Sequence, residues 1–386
     1  MTTNDTPNSS LTLQELLDQV SSKRFTEAVT PGDRGLADDL RFPFAALVGQ
    51  TEMKTALLLA LINPAIGGVL LVGARGTGKT TAVRALADLA PTVKRSLCPY
   101  GCLPEDIEAG GIDAVCPDCA RKYGMGDPLT YDDPCRLVEL PLNARLEDVV
   151  GGLDERAATH RRVQIKRGLL ASADQNLLHI DEVNLLANDV VDVILDAAAQ
   201  GVAVVRRGPV SATYRARFVL IGSMNPEEGR LRPQIQDRFG LRVIVNGLDT
   251  AEDRLEAYHR ARAFRTNPRA FAVAYVEELA VMRAEVEAAR QRLVNVTLTA
   301  EAEARGLALI RTLGIGSLRA EIALFEAARA HAAADGRGEA DAQDVRAVAP
   351  LALRLRSSAA LEQYLATQAD DDARLRGHID ALLPGA

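Results

Sequence analysis

Eight consecutive residues, Gly73-Ala74-Arg75-Gly76-Thr77-Gly78-Lys79-Thr80, have the composition and spacing of a loop that holds phosphate groups. The glycines let the backbone curl so that successive N–H groups converge on one point. Lys79 adds a cation, Thr80 offers a hydroxyl to Mg²⁺, and Thr81 continues into a helix whose N-terminal dipole faces the anion. The context is the one the motif requires: Val69-Leu-Leu-Val72 reads as a buried strand before it and Thr81 to Leu89 as a helix after it. An incidental glycine-rich turn would lack both flanks. ATP with Mg²⁺ is the expected ligand.

About a hundred residues on, Leu177-Leu-His-Ile-Asp-Glu182 is an apolar strand ending in two carboxylates. Beside a phosphate loop, Asp181 is expected to hold Mg²⁺ and Glu182 to orient or deprotonate the attacking water. The alternative makes the pair an N-cap and first turn of a helix starting near Asn184. His179, within the strand, reads as a core or interface residue rather than a base. Phe218-Val-Leu-Ile-Gly-Ser-Met-Asn225 ends another strand in an amide suited to sensing the γ-phosphate or lytic water, although Asn-Pro is also an ordinary turn signal. Arg238, in Asp237-Arg-Phe-Gly240, could reach a neighbouring subunit's γ-phosphate in a ring, the alternative being an ion pair with Asp237 or another acid of its own chain. Arg319, at a helix start in Gly316-Ser-Leu-Arg-Ala-Glu321, is a second candidate for the nucleotide.

These residues need a scaffold that brings strand ends together. Five apolar runs, at Val69–Val72, Leu137–Leu140, Leu177–Ile180, Phe218–Ile221 and Leu241–Val245, alternate with helical patterns, which predicts an α/β fold: a parallel sheet between helices, carrying a P-loop. Two stretches interrupt that rhythm. Residues 98–135 read as a loop rich in Gly, Pro and Asp, and Val202 to Phe218 as a hairpin turning at Arg207-Gly-Pro209. After Asp249 the strand signal disappears into Ala-, Glu-, Arg- and Leu-rich helical spacing. The expected division is a mobile arm over 1–40 with one short amphipathic helix, a nucleotide-binding domain over 41–248 that includes both inserts, and an α-helical lid domain over 249–386.

With 386 residues, 47% of them hydrophobic, the chain can bury a large core. It has no apolar run of about 18 residues and no basic-then-apolar start, so no membrane span is expected and the cytoplasm is the expected location. A net charge of −7 without a Lys/Arg stripe argues against nucleic acid as partner and against a DNA-remodelling role.

Taken together, the chain resembles the AAA+ ATPase subunit I of magnesium chelatase. The resemblance rests on Phe42-Pro-Phe-Ala-Ala-Leu-Val-Gly-Gln50, Ile66 to Thr80, Leu178-His-Ile-Asp-Glu-Val-Asn-Leu186 and, most specifically, Ser223-Met-Asn-Pro-Glu-Glu-Gly-Arg-Leu-Arg-Pro-Gln234 followed by Asp237-Arg-Phe-Gly240. It spans roughly residues 42–355. It implies a ring, expected to be a hexamer, that works with a second AAA+ subunit carrying an integrin-like domain. Together they drive Mg²⁺ insertion into protoporphyrin IX on a third, large porphyrin-binding subunit, a step of chlorophyll and bacteriochlorophyll synthesis. It assigns Arg238 as the trans-acting finger and Arg319 as the lid sensor. It also implies that the Val202–Phe218 hairpin and the segment around Val149–Asp154 line the ring and grip partners. The alternative function is a chaperone-like remodeller of the MoxR type acting on a client with an integrin-like domain.

The departure from the family is a cysteine set. Cys98-x3-Cys102, thirteen residues, then Cys116-x2-Cys119 has the spacing of two tight turns converging on one metal. Zn²⁺ is the first expectation, a [4Fe–4S] cluster with Cys135 as a substitute ligand the second, and four unligated thiols the third.

Overall fold

The computed structural model describes residues 40–98, 101–153, 165–207, 210–229, 231–356, 377 and 381. The expected N-terminal arm, apart from Leu40, the hairpin tip at Gly208-Pro209 and most of the chain after Arg356 lie outside the described residues. The fold below is that of the compact unit Arg41–Ala386.

Helix α1 (Thr51–Ile62) leads to β1 (Val69–Val72) and α2 (Lys79–Leu86). Strands β2 (Thr92–Ser96) and β3 (Thr130–Pro134) flank α3 (Pro104–Gly110) and α4 (Pro117–Met125). Then follow β4 (Leu137–Leu140), α5 (Leu146–Val150), the ribbon β5 (Gly151–Leu153) and β6 (Ile165–Arg167), α6 (Leu169–Ser172), β7 (Leu177–Ile180) and α7 (Asn188–Gln200). The hairpin β8 (Val202–Arg207) and β9 (Val210–Arg215) precedes β10 (Val219–Met224), α8 (Pro233–Gln236) and β11 (Leu241–Ile244). The remainder is mostly helical: α9 (Ala251–Thr266), α10 (Pro268–Val273), α11 (Val276–Leu293), β12 (Thr297–Leu298), α12 (Ala300–Thr312), α13 (Leu318–Ala334), β13 (Glu339–Ala340) and α14 (Ala342–Leu353).

The five apolar runs form one parallel sheet in the order β11-β1-β10-β7-β4. They lack polar alternation because both faces are covered. Val69 and Leu71 point into a core shared with α1, α2 and the C-terminal helices. Leu70 and Val72, on the opposite face by the two-residue period of a strand, pack with Val190, Val191 and Ile194 of α7. β1 is thus an interior strand, with β10 on one side and the edge strand β11 on the other. Its C-terminal end opens where strand ends from both neighbours can contribute side chains, the usual ligand position in such sheets.

The C-terminal helices pack closely because their facing residues are small. Ala320, Ala323, Ala327, Ala330 and Ala333 of α13 are all essentially buried. Polar ties fix them to α1 and to β11. Asn63 donates to Glu326 Oε2 at 2.7 Å, and Arg354 to Glu52 at 2.8 Å. Arg242, fully buried on β11, spends its guanidinium on the carbonyls of Gln236 and Arg354, at 3.0 and 3.2 Å. A buried cation needs such acceptors.

Residues 98–135 depart from the loop expected of them. They include α3 and α4, on an antiparallel ribbon in which Thr92 pairs with Pro134 and Ser96 with Thr130. Each helix begins with proline at its first position, Pro104 and Pro117, where a missing N–H costs nothing, and stops at a glycine with positive φ, Gly111 (+76°) and Gly126 (+78°). The residues that read as loop punctuation are the helix boundaries.

Gly240 shows how tightly the turn before β11 is packed: a Cβ there would lie 1.8 Å from the Ile66 carbonyl oxygen. Gly240→Ala should cost about 3 kcal/mol and lower Tm by roughly 6–12 °C, measured by thermal unfolding. An unchanged Tm would show that this approach is slack.

Candidate functional site

The phosphate loop leaves β1 at Gly73, whose N–H donates to Met224 O at 3.1 Å and whose Cβ position is closed by the Val245 carbonyl at 2.1 Å. Gly76 (φ +78°) and Gly78 (φ +87°) take the left-handed conformation, and no heavy atom lies within 4 Å of a Cβ built on either. They leave an open cradle that side chains would fill. Lys79, 8% exposed, donates from Nζ to the carbonyls of Gly73 at 2.8 Å and Ala74 at 2.7 Å. Burial lowers its pKa, and the charges of Asp181, Glu228 and Glu182 oppose that shift.

Asp181 follows β7 and is held from two sides. Thr80 Oγ1 donates to its Oδ2 at 3.3 Å, and Ser223 Oγ, on β10, donates to its Oδ1. Glu182 has a left-handed backbone (φ 51°, ψ 53°), unusual for a residue with a Cβ and worth about 1–3 kcal/mol of strain. Its N–H donates to Ser223 Oγ at 3.3 Å. The helix expected near Asn184 is a single 3₁₀ turn (Val183–Leu185), and Glu182 makes no side-chain cap to it. Desolvation, then repulsion from Glu228 and Asp181, raises the Glu182 pKa, while Arg75, 3.6 Å away, opposes the rise. A raised carboxylate pKa makes a stronger base. Asn225, at the end of β10, donates to Glu228 Oε1 at 2.7 Å, and its Oδ1 accepts from Glu227 N–H at 3.2 Å. Glu228 also pairs with Arg75, and the bond from Asn225 leads the causes that hold its pKa below the usual carboxylate range.

These residues meet in one cavity of about 230 Å³, lined by Arg75 to Thr81, Asp181, Glu182 and Ser223 to Asn225. A second cavity of about 380 Å³ shares Gly76, Thr77, Gly78 and Thr81 with it and is walled by apolar groups including Phe42, Leu47, Val48, Met53 and Leu248. Donors on one side and an apolar slot on the other match the two ends of a nucleoside triphosphate. The donor set also suits Mg²⁺, since hydroxyl and carboxylate oxygens at Thr80 and Asp181 are the hard ligands it prefers.

Other expected residues lie elsewhere. Arg238 lines neither cavity: it pairs with Asp196 of α7 at 2.7 Å and donates to Asp192 O at 3.3 Å. Arg319 donates to Asp237 Oδ2 at 3.2 Å, again outside both cavities. His179 is buried with Nδ1 3.7 Å from Glu139, whose pKa is drawn down to about 2, first by His179 and then by Arg84 against its own desolvation. The Sγ atoms of Cys98, Cys102, Cys116 and Cys119 lie within 4.8 Å of one another. Cys135 is no substitute ligand. It packs against the main core, its Sγ 3.6 Å from Gln175 O, because β3 carries it away from the α3–α4 turns.

Sequence reasoning assigned no roles to Ser223 and Glu228, and named Asp237 only as a possible ion-pair partner of Arg238. Ser223 and Glu228 flank Asn225 in the run that carries the resemblance, but the contacts of Ser223 depend on β10 lying beside β7, and those of Glu228 on how the 3₁₀ turn Pro226–Glu228 folds back. Asp237 binds Ser317 Oγ (2.7 Å), Arg319 (3.2 Å) and Arg356 (2.9 Å).

A phosphate loop after an interior strand of this parallel sheet, paired carboxylates after β7, a polar strand end at β10 and a C-terminal helical region define an AAA+ ATPase. Family models match in two places: "Magnesium chelatase, subunit ChlI" over residues 155–247 and "AAA lid domain" over 304–376. The magnesium-chelatase subunit ChlI homolog of Methanocaldococcus jannaschii is 42% identical over 314 residues, 81% of this chain and 84% of its own length. The magnesium-chelatase 38 kDa subunit of Acidiphilium rubrum is 43% identical over 317 residues, 82% of this chain and 90% of its own. A putative ATPase from Cytophaga hutchinsonii shares the fold at TM-score 0.54 and 19% identity, covering 86% of this chain and 91% of that one. The chain belongs to the magnesium-chelatase subunit I family of AAA+ ATPases. Among the described residues no helix is long and apolar enough to cross a membrane.

Because Glu228 raises the Glu182 pKa, Glu228→Gln should lower it. In the expected role of base Glu182 must be ionised, so hydrolysis would fail as pH falls through its pKa. The acidic limb of kcat against pH should therefore move to lower pH in this variant. A limb that stays put or moves up would contradict the coupling.

Proposed function

We propose that this chain is the ring-forming motor of a magnesium chelatase, hydrolysing ATP to drive insertion of its substrate ion, Mg²⁺, into protoporphyrin IX. The observation that carries this reading is the meeting of Lys79, Thr80, Asp181 and Glu182 in one cavity, in a chain whose relatives are named as chelatase subunits. The Gly73–Thr80 loop binds the phosphates through its N–H groups, with Lys79 exchanging the Gly73 and Ala74 carbonyls for phosphoryl oxygens. Thr80 and Asp181 would hold a nucleotide-bound Mg²⁺, which neutralises charge on the β- and γ-phosphoryl oxygens. Glu182 takes the proton of the attacking water, Arg75 screening it from Glu228. Asn225, its amide oriented by Glu227 and Glu228, senses the γ-phosphate.

Arg238 completes the site in this reading from a neighbouring subunit, leaving Asp196 to reach that subunit's γ-phosphate. Arg319 reports nucleotide state to the helical lid through Asp237. Leu318 and Ile322, 77% and 55% exposed on either side of Arg319, support burial of that face in a ring, with a hexamer as the expected assembly. The partners are a second AAA+ subunit with an integrin-like domain and a large porphyrin-binding subunit, in the cytoplasm.

One reconstitution tests both the load and the ring. Combined with candidate partner subunits and protoporphyrin IX, the chain should support ATP-dependent Mg²⁺ insertion, followed by absorbance. Arg238→Ala and Lys79→Ala chains should each be inactive alone and regain part of the activity when mixed. No insertion with competent partners would move the assignment to a client remodeller, and no recovery at any mixing ratio would place Arg238 outside the neighbour's site.

A further inference from the structure

The segment between β2 and β3 has little to hold it together. Its compact cluster of buried side chains is Cys102, Ile107, Cys119 and Leu129, with Cys98, Val115 and Cys116 packed against them. Helices of seven and nine residues do not stand on two full-sized apolar side chains, and small modules with cores this thin are held by disulfides or metal. All the cysteines here are free thiols.

The four Sγ atoms are already gathered within 4.8 Å of one another, two in buried and two in half-buried residues. Tetrahedral Zn²⁺ with Zn–S bonds of about 2.3 Å places its sulfurs about 3.8 Å apart, so closure needs shifts of about an ångström or less. A [4Fe–4S] cube, eight atoms in bulk, does not fit among sulfurs this close. The backbone is arranged for thiolates. Cys102 N–H donates to Cys98 Sγ, and Cys116 N–H to Cys102 Sγ, each at 3.3 Å, and Ser96 Oγ donates to Cys98 Sγ at the same distance. Donors aimed at ligand sulfurs orient them and spread their charge.

The site also touches the β8–β9 hairpin. Arg215, the last residue of the β8–β9 hairpin, donates to Gly101 O at 2.9 Å and pairs with Asp106. Gly101 lies in the turn between the first two cysteines, and Asp106 in the first turn of α3. Arg215 therefore ties the end of the hairpin to the turn that carries two of the four ligands, while Ala203 of β8 is buried with the core beside α7. A cavity of about 660 Å³ separates the two elsewhere, lined by Cys102, Cys116, Arg167 and Tyr214 among others, so this contact is localised.

We propose that Cys98, Cys102, Cys116 and Cys119 bind one Zn²⁺ as four thiolates, and that the ion fixes the turn to which Arg215 ties the end of the β8–β9 hairpin. Binding releases the four thiol protons to solvent and changes no oxidation state, leaving a unit of net charge −2 beside the Arg215 guanidinium.

Elemental analysis of the purified full chain should find one zinc per chain, falling below about a tenth in Cys116→Ser/Cys119→Ser. Should that variant fold poorly, Co²⁺ added to demetallated wild type keeps the test open: it should give the intense visible absorption of a tetrahedral cobalt thiolate. Zinc-free protein with only weak cobalt absorption, zinc retained after the cysteines are replaced, or stoichiometric iron and sulfide would each overturn the site. For the anchoring role, removing zinc should speed amide exchange in residues 202–215 by at least about tenfold. Arg215→Ala should keep its zinc and loosen the same amides. Unchanged exchange after zinc removal would overturn the brace.

Discussion

Asp181 ties three parts of the sheet into one site. One carboxylate oxygen receives the Thr80 hydroxyl at 3.3 Å and the other the Ser223 hydroxyl, so the start of α2, the end of β7 and the end of β10 are held at fixed distances. Ser223 also receives the Glu182 N–H, which sets the left-handed backbone that turns the second carboxylate. Ser223 can do this only because β10 lies between β1 and β7, a consequence of strand order. Buried apolar strands make the sheet, the sheet makes the neighbours, and a few polar contacts at its C-terminal edge set the chemistry.

A second set of contacts connects that edge to the helical region. Asp237 gathers Ser317, Arg319 and Arg356, and several cations together with the Ser317 hydroxyl hold its pKa low against its own desolvation. Its neighbour Arg238 pairs instead with Asp196. Two adjacent residues thus face different elements, one the start of α13 and the other α7. Movement of the turn before β11 would be felt at both, and the close approach of Gly240 to Ile66 leaves that turn little freedom to move independently. This is a physical route by which nucleotide state at β1 could reach the lid and α7.

Much of the fold was legible because its signals are local. The five core strands stand out as short apolar runs, the phosphate loop as a spacing, and α13 as an Ala-rich helical period. The α3–α4 segment was not legible: its helices bury little more than Ile107 and Cys119, so no apolar period marks them, and their capping prolines and glycines read as turns. In the site, Asp181, Glu182 and Asn225 could be picked out because strand-terminal polar residues are conspicuous. Ser223 and Glu228 could not, since their meaning lies in contacts across strands. The placement of Arg238 and Arg319 outside their own chain's cavities is likewise invisible in sequence, where only their neighbours along the chain are given.

The central claim is that Glu182, held beside Asp181, handles the attacking water while other groups of the site, the phosphate loop foremost, hold the nucleotide. Its most direct test is a paired measurement on Glu182→Gln. ATP affinity should stay within about twofold of wild type while steady-state hydrolysis falls by at least about a hundredfold. Undiminished hydrolysis would contradict the claim, and so would loss of nucleotide binding.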